Sequence, residues 1–405
     1  MSYKKTTIGA HCSVTSSKRF HASERTKDGV PFYCSKEIIQ KVKGEDVTEC
    51  DYISEDAYKS VKEKYGVPQV GDLLITTRGT YGVPYIYKDY DKFYFADGNL
   101  TWLKDFDDEL DVEYLYYWIN SYEGQKKIDA IAKGTAQKAV PIATLKQIEI
   151  EIPDISTQKK VVCILKAYDE LIENNQKQIK LLEEAAQRLY KEWFVDLRFP
   201  GYEEMEIVDG IPNGWRYREV SDFGEVITGK TPSTSKSDYY GGNIPFVTIP
   251  DMHGKVYPLI TEKTLTKAGA DTQKNKFLPA KSVIVSCIAT VGLVNIAVEQ
   301  CQTNQQINSV ILYNEDDLYF FYESMLRIKS LLDGVGSNGA TMTNVNKTKF
   351  SNIKVLYPTE DLIVKYESFC LPVFEKILVL SKEIIKNEQA RDRLLPKLMS
   401  GEIEV

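Results

Sequence analysis

One segment of the sequence matches the phosphate-binding pattern GxxxxGK[ST], namely GEVITGKT at residues 224–231. Such a loop holds nucleotide phosphates when an apolar strand precedes it and a helix follows directly, because the helix N-terminus faces the phosphates. Here the polar segment REVSDF precedes it, and PSTSKSDYYGG, which is typical of turns, follows it. We therefore expect a turn, and a P-loop-type nucleotide-dependent enzyme remains only as an alternative.

A second glycine-rich segment, GVGSNG at residues 334–339, matches the dinucleotide pattern GxGxxG. That pattern indicates a cofactor site only between a strand and a helix. The segment follows SMLRIKSLLD, which is predicted to be a helix. The glycines are therefore predicted to form a helix C-cap and a loop.

Residues for metal or acid–base chemistry are sparse and scattered. The three histidines, His11, His21 and His253, have no HExxH motif and no cysteine or carboxylate at metal-ligand spacing. The seven cysteines form no CxxC pair, which favours neither a disulfide framework nor a zinc site. We expect no catalytic centre and no metal site.

Composition sets the broad class. At 405 residues the chain should hold two or more domains, and 43% hydrophobic with 27% charged residues is ordinary for a globular protein. No apolar run reaches membrane-spanning length and no signal-peptide segment is recognised, so a cytoplasmic location is expected. The net charge of −7 argues against a sequence-independent nucleic-acid coat but allows a binder with local basic residues.

The element that organises the chain is a predicted helix at residues 156–199. Its apolar residues recur at heptad spacing, which predicts one long helix that buries a seam against a partner helix. Asn175 interrupts the seam, and such an asparagine can fix helix register. The predicted seam residues are Val161, Leu165, Tyr168, Ile172, Ile179, Leu182, Ala186, Leu189 and Trp193.

An internal duplication supplies the partner. Residues 134–189 match residues 339–394 at a constant offset of 205, which places a second long helix at residues 361–399 with Asn387 as its own interruption. The seam residues predicted there are Tyr366, Cys370, Val373, Ile377, Leu380, Ile384, Leu394 and Leu398.

The segments before the helices repeat more weakly. GDLLITTRGTYG at residues 71–82 resembles KSVIVSCIATVG at residues 281–292, and each is predicted to form an apolar strand that runs into a polar, glycine-containing turn. The predicted fold class is therefore α+β (mixed α/β), with two globules in pseudo-twofold tandem and two long helices. The predicted segments are residues 1–154, 155–199, 200–359 and 360–405.

The two long helices end in RLYKEWFVD (residues 188–196) and RDRLLPKLMSGEI (residues 391–403), and the second half begins with GEVITGKTPS (residues 224–233). The whole chain has the order globule, helix, globule, helix. In these segments and this order the sequence resembles the specificity (S) subunit of a type I DNA restriction–modification system.

The resemblance implies two target-recognition domains, residues 1–154 and 200–359, that each read one half of a bipartite DNA sequence. It implies that the helices form an antiparallel coiled-coil spacer that docks two adenine-N6 methyltransferase (modification) subunits, joined by restriction/translocase subunits. The chain has no Pro-Pro, and therefore lacks the [DNS]PP[YF] tetrapeptide of such methyltransferases. We expect a non-catalytic chain without cofactors, with S-adenosylmethionine, ATP and magnesium on the partners only. A coiled-coil scaffold without a nucleic-acid role is the other alternative.

For such a reader, the candidate DNA-contacting residues are those that reach base edges or phosphates, namely Arg, Lys, Asn, Gln, Ser and Thr in polar loops. Those in the first globule are Lys18, Arg19, Arg25, Thr77, Arg78, Thr80, Tyr81, Lys133, Thr135, Gln137 and Lys138. Those in the second are Lys230, Thr231, Ser233, Lys236, Thr290, Gln305, Gln306, Asn338, Thr341 and Asn344.

The aromatic end of the first helix has two interpretations. Leu189, Trp193 and Phe194 are expected mainly as core residues, and part of this group is a candidate contact for a modification subunit.

Overall fold

The structure is a computed structural model, and it describes residues 3–134, 138–208, 210–333 and 344–405. The chain divides into two compact units. The first unit comprises residues 1–173 and 386–405, and the second comprises residues 174–385. Each unit therefore contains one globule and one part of each long helix.

The described residues of the first unit form three small sheets. Its central, four-stranded antiparallel sheet has the order Ser13–Thr15, Leu100–Lys104, Leu73–Thr76, Pro84–Ile86. Its three-stranded sheet has the order Asp51–Ile53, Val30–Tyr33, Tyr94–Phe95, and Lys4–Thr7 pairs with Glu149–Ile152.

The second unit repeats the strand order of these sheets and adds one further strand pair. Its four-stranded sheet has the order Gly224–Thr228, Ile307–Leu312, Val283–Ser286, Val294–Ile296. The other strands are Lys263–Leu265, Tyr240–Val247 and Gln302–Thr303 in one sheet, Arg216–Glu219 with Lys354–Tyr357, and Ile207–Val208 with Ile211–Pro212. The predicted tandem of mixed α/β globules is confirmed by this matching topology.

Short helices cover the sheets. Side-chain N-caps stabilise the first turns of several of these helices. For example, the Asp111 carboxylate accepts hydrogen bonds from the backbone N–H groups of Glu113 and Tyr114. In the first unit these helices are Ile8–His11, Ser35–Val42, Glu55–Lys64, Val112–Asn120, Tyr122–Ile131 and Ile142–Lys146. In the second they are Val220–Phe223, Ile249–Met252, Lys267–Asp271, Leu318–Leu326, Ile328–Asp333 and Lys347–Ser351.

The first long helix spans Ile155–Tyr190 and continues as a π-helical turn, Lys191–Val195. The sequence pattern predicted an end at residue 199, which is four residues too far. The helix stops because Leu197 has a φ of 58°, in the left-handed region that a helix cannot include. The second long helix spans Glu360–Met399, close to its predicted bounds, and continues through Pro372 and Pro396.

Within the first unit, the beginning of the first long helix packs against the end of the second. Val161 and Leu165 share a buried cluster with Leu395 and Leu398, and Leu394 is half-buried against it. Polar contacts reinforce this packing. Arg391 donates a 2.7 Å hydrogen bond from Nη1 to the Asp169 carboxylate, and the Tyr117 hydroxyl donates one of 2.5 Å to the same group.

Within the second unit, the end of the first long helix packs against the beginning of the second. Ala186 is buried with Ile377, and Ile179 and Leu189 are half-buried against the same cluster. The Asn175 amide donates a 3.3 Å hydrogen bond to Glu383. In each unit the two helical segments therefore run antiparallel. Among the remaining predicted seam residues, those buried are Ile172, Tyr366, Cys370 and Leu380, and those half-buried are Tyr168, Leu182, Val373, Ile384 and Asn387.

Trp193 and Phe194 lie in the core of the second unit, where each is 6% exposed. The Phe194 ring packs at 5.0 Å from both Phe320 and Tyr366, and Trp193 packs at 5.9 Å from Tyr366. Packing in this core accounts for the positions of both side chains.

Helix Leu318–Leu326 buries a carboxyl group, that of Glu323, which is 3% exposed. Burial raises the pKa of Glu323 to about 8, and the neighbouring Glu183, whose own pKa burial raises to about 7, adds to this effect while Arg327 opposes it. The folded state thus binds this proton more tightly than the unfolded chain. The free energy of unfolding should fall as the pH rises from about 5 to about 8.

We predict that Glu323→Gln removes much of this pH dependence. The variant should be more stable than the native chain by about 1–3 kcal/mol at pH 8.5 and nearly equal to it at pH 5, because glutamine carries no charge. Hydrogen exchange of helix Leu318–Leu326 at the two pH values measures the difference. Glu225→Gln, the same substitution at an exposed position, is the matched control. An equal gain at both pH values would contradict the prediction.

Candidate nucleic-acid interface

The central strand Leu73–Thr76 of the first unit ends in a loop that is held by its neighbours on two sides. The Thr77 N–H donates to the Asn99 carbonyl at 2.7 Å, and the Val140 N–H donates to the Thr77 carbonyl at 3.0 Å. The Thr76 hydroxyl accepts a hydrogen bond from the Val83 N–H at 3.0 Å. Residues 77–81 therefore form a braced turn between the segments 97–99 and 138–140.

A third loop joins this turn. The Arg19 guanidinium pairs with the Asp97 carboxylate at 2.7 Å, and the Lys18 backbone N–H donates to the Tyr94 hydroxyl at 2.7 Å. We call residues 16–19, 77–81, 97–99 and 138–140 loop cluster 1. Its exposed side chains include Lys18, Arg19, Arg78, Thr80 and Lys138, and Lys133 bridges to Ala139 beside it.

Arg78 occupies the outer position of the braced turn. Its guanidinium carbon lies beside Gly98, 3.7 Å from the position that a Cβ there would have. Among the described residues its side chain has no hydrogen-bond or ion-pair partner. The guanidinium donors are therefore available to an external acceptor such as guanine or phosphate.

Other predicted residues of the first unit lie elsewhere. Arg25 pairs with Asp51 at 2.6 Å and lies over the Phe32 ring at 5.1 Å, so intramolecular contacts already occupy it. Tyr81 is half-buried against the hydrophobic core. Thr135 and Gln137 lie outside the described residues.

A polar groove adjoins loop cluster 1 along the edge strand Ser13–Thr15. One part is a cavity of about 580 Å³ that includes Lys104 and Lys146, and a second part of about 360 Å³ includes Lys18 and Arg19. Sequence reasoning missed Lys104, Lys146 and Asp97 because each follows or precedes an ordinary buried segment and has no motif. Only the fold brings them to this edge.

The second unit builds the same braced turn after strand Val283–Ser286. The Cys287 N–H donates to the Gln306 carbonyl at 2.9 Å, and the Val345 N–H donates to the Cys287 carbonyl at 2.8 Å. The Ser286 hydroxyl accepts from the Leu293 N–H at 2.8 Å. Each bond has its counterpart in the first unit, so the two turns share one backbone design.

Here too a further loop joins the turn. The Thr231 hydroxyl donates to the Gln305 side-chain oxygen at 2.6 Å, and the Lys230 N–H donates to the Thr303 carbonyl at 2.9 Å. We call residues 229–233, 287–291, 304–306 and 344–345 loop cluster 2. The predicted residues that it brings together are Lys230, Thr231, Ser233, Thr290, Gln305, Gln306 and Asn344.

The structure shows that the GEVITGKT segment does not have the strand–loop–helix arrangement of a phosphate-binding loop. Strand Gly224–Thr228 is followed by a loop, and the next helical element is the three-residue turn Ser237–Tyr239. A Cβ on Gly229 would lie 2.2 Å from the Asn304 carbonyl oxygen, so close backbone packing explains this glycine. The helix that a P-loop requires is missing here, and the nucleotide-enzyme alternative is wrong.

Two predicted residues of the second unit lie on that turn or beside it. Lys236 donates to the Tyr239 hydroxyl at 3.1 Å and lies 5.1 Å from the centre of its ring, and Ser233 bonds to Ser235 at 2.8 Å. Asn338, Thr341 and the GVGSNG segment lie outside the described residues.

The two clusters differ in chemistry. Loop cluster 1 carries four cations, Lys18, Arg19, Arg78 and Lys138, and the carboxylate of Asp97. Loop cluster 2 carries Lys230 and a set of amides, Asn304, Gln305, Gln306 and Asn344. Guanidinium groups pair with guanine, and side-chain amides pair with adenine. One scaffold thus presents two different hydrogen-bonding surfaces.

Among the described residues, no group of three or more His, Cys, Asp or Glu side chains could hold a metal ion. In the same part of the chain, no helix combines the length and apolar character needed to cross a membrane.

Two mixed α/β units in tandem, each with a polar loop cluster after its central strand, match a known family of DNA specificity domains. The family model for the type I restriction modification DNA specificity domain matches residues 3–184 and 212–365. The chain therefore belongs to this family, and it is a DNA-binding specificity subunit of a type I restriction–modification complex. Family membership also confirms the predicted role in recognition rather than catalysis.

Individual relatives of the chain are also specificity subunits of type I restriction enzymes. The HindI specificity subunit of Haemophilus influenzae is 32% identical over 356 residues, which cover 72% of this chain and 77% of that protein. The MjaIX specificity subunit of Methanocaldococcus jannaschii is 28% identical over 305 residues, 72% of this chain and 69% of that protein. The fold is similar to the crystal structure of the S subunit from M. genitalium, with a TM-score of 0.59 and 16% identity over 98% of this chain and 96% of that one.

Proposed function

We propose that the chain reads a bipartite DNA target, with loop cluster 1 on one half-site and loop cluster 2 on the other. The observation that carries this proposal is the repeated braced turn, which keeps one backbone and changes its side chains. A rigid strand end that displays variable polar residues is suited to reading base edges, because the sheet fixes the position from which each side chain reaches.

The remaining surface of loop cluster 1 is suited to phosphates. Lys18 and Lys138 are exposed, and the adjoining groove adds Lys104 and Lys146. Such contacts set the register of a protein on DNA without reading sequence. A chain with a net charge of −7 can bind DNA in this way because its cations are concentrated locally.

We further propose that two modification subunits dock on the long helices and that restriction/translocase subunits join that complex. Exposed apolar residues support docking, for example Leu181, which is 65% exposed, and Phe369, which is 57% exposed. In this arrangement S-adenosylmethionine, ATP and magnesium are bound by the partners, and the complex works in the cytoplasm. The predicted boundaries at residues 154/155 and 359/360 are proposed as limits of the recognition and spacer parts, and the boundary predicted at 199/200 is replaced by the end of the first long helix at Val195.

An exchange of recognition segments tests the proposal. Residues 2–150 are replaced by the corresponding segment of another family member, and the chain is expressed with its modification subunits. Methylation sequencing should show a change in one half of the target only, because loop cluster 2 is untouched. The reciprocal exchange within the second unit is the matched control and should change the other half.

Two outcomes would contradict the proposal. Altered bases in both halves would exclude one half-site per unit. A methyltransferase that copurifies with the chain but methylates without a bipartite motif would favour the scaffold alternative.

A further inference from the structure

The braced turns of the two units are equivalent residue by residue. In the first, the Gly82 N–H donates to the Thr76 carbonyl at 2.8 Å, and in the second the Gly292 N–H donates to the Ser286 carbonyl at 3.0 Å. These bonds, with those of Thr77 and Cys287, place residue 78 and residue 288 at one structural position. Each also forms an isolated bridge to the same flanking segment, Arg78 to Ala139 and Ile288 to Asn344.

The backbone after this position is also the same. Gly79 has a φ of 72° and Ala289 has a φ of 65°. A left-handed conformation is costly for alanine, and it persists only when the surrounding structure holds it. The surrounding contacts therefore hold the turn of the second unit in the same backbone conformation as the turn of the first, although alanine favours a left-handed conformation less than glycine does. The side chains at positions 78 and 288 must leave the backbone from equivalent points.

The two side chains have opposite chemistry. Arg78 is exposed and offers guanidinium donors, whereas Ile288 is half-buried and offers only methyl and methylene groups. Ile288 lies among the amides of loop cluster 2, beside Gln306, whose carbonyl holds the preceding residue. Within the described part of the chain, Ile288 belongs to none of the buried hydrophobic clusters, so core packing there explains this aliphatic side chain poorly.

We propose that this position determines specificity in both units, an inference that rests on the proposed function. Arg78 reads a guanine through its O6 and N7 acceptors. Ile288 packs against the C5-methyl group of a thymine and thereby reads an A·T pair. Apolar contact with that methyl group is a recognised form of base readout in the major groove.

Reciprocal substitutions test the inference in the complete complex. With Ile288→Arg, the second half-site should lose its preference for T at one position and gain G there. With Arg78→Ile, the first half-site should lose discrimination for one G by about tenfold or more. Methylation sequencing of cells that express the whole system gives both motifs, and competition binding with single-base variants gives the fold-change.

Two further variants complete the design. Ala289→Gly keeps the turn and changes no base-facing group, so its motif should equal that of the native chain. Ile288→Ala removes the methyl contact without adding charge. It should weaken discrimination at the same single position, and it supplies the readout in the case that Ile288→Arg abolishes methylation.

The outcomes are distinguishable. If Ile288→Ala and Ile288→Arg leave the second half-site unchanged while exchange of residues 2–150 alters only the first, the inference is overturned and the proposed function stands. If that segment exchange changes both half-sites or neither, the proposed function fails first.

Discussion

Replacing Phe374 by alanine is expected to destabilise the second unit by about 3–5 kcal/mol, the usual cost of removing a buried aromatic ring. Phe374 is 1% exposed on the second long helix. Its ring stacks on Tyr319 at 4.3 Å with an interplanar angle of 14°, and it meets Tyr322 edge-on at 5.4 Å. The substitution leaves a cavity between the long helix and helix Leu318–Leu326, and the rigid sheet behind that helix limits its collapse.

Hydrogen exchange of helix Leu318–Leu326 measures this loss. Leu371→Ala, on the same helix at a position that is 48% exposed, is the matched control and should cost less than about 1 kcal/mol. Helix Val112–Asn120 of the first unit should keep its native protection. Equal losses for Phe374→Ala and Leu371→Ala would show that helix propensity, and not ring packing, governs this contact.

The long helices and the duplication could be predicted from the sequence because both are periodic signals. Heptad spacing identified Leu165, Ile377 and Leu380, which are fully or almost fully buried. A constant offset between the halves identified the partner helix. The end of the first helix could not be located in this way, because the left-handed turn at Leu197 depends on packing that the heptad pattern does not contain.

The candidate site was only partly predictable. The turn after Leu73–Thr76 was found from its strand-to-turn pattern, which also matched the turn after Val283–Ser286. The ion pair of Arg25 with Asp51 could not be predicted, because the sequence around a basic loop residue does not show whether a distant carboxylate pairs with it. Ile288 was missed for the opposite reason. An aliphatic residue in a polar loop has no chemical signature, and only the hydrogen-bond equivalence with Arg78 identifies it.

Lengthening both long helices by one heptad should change the spacing of the target and leave both half-sites intact. The boundary between the two units crosses the helices at residues 173/174 and 385/386. Seven residues inserted at each point preserve the contacts within each unit, including Asn175 with Glu383 and Asp169 with Arg391. A heptad is close to two helical turns, so the apolar seam stays on the same face.

The expected increment is about 10 Å at 1.5 Å per residue, or about three base pairs. Methylation sequencing should therefore return the same two half-sites with about three more bases between them. Insertion in the first helix alone is the matched control. It shifts one side of the seam relative to the other, so it should destabilise the helical pairing and abolish methylation. If the double insertion changed the bases read within either half-site, the helices would shape the reading surfaces themselves and would not act as a spacer.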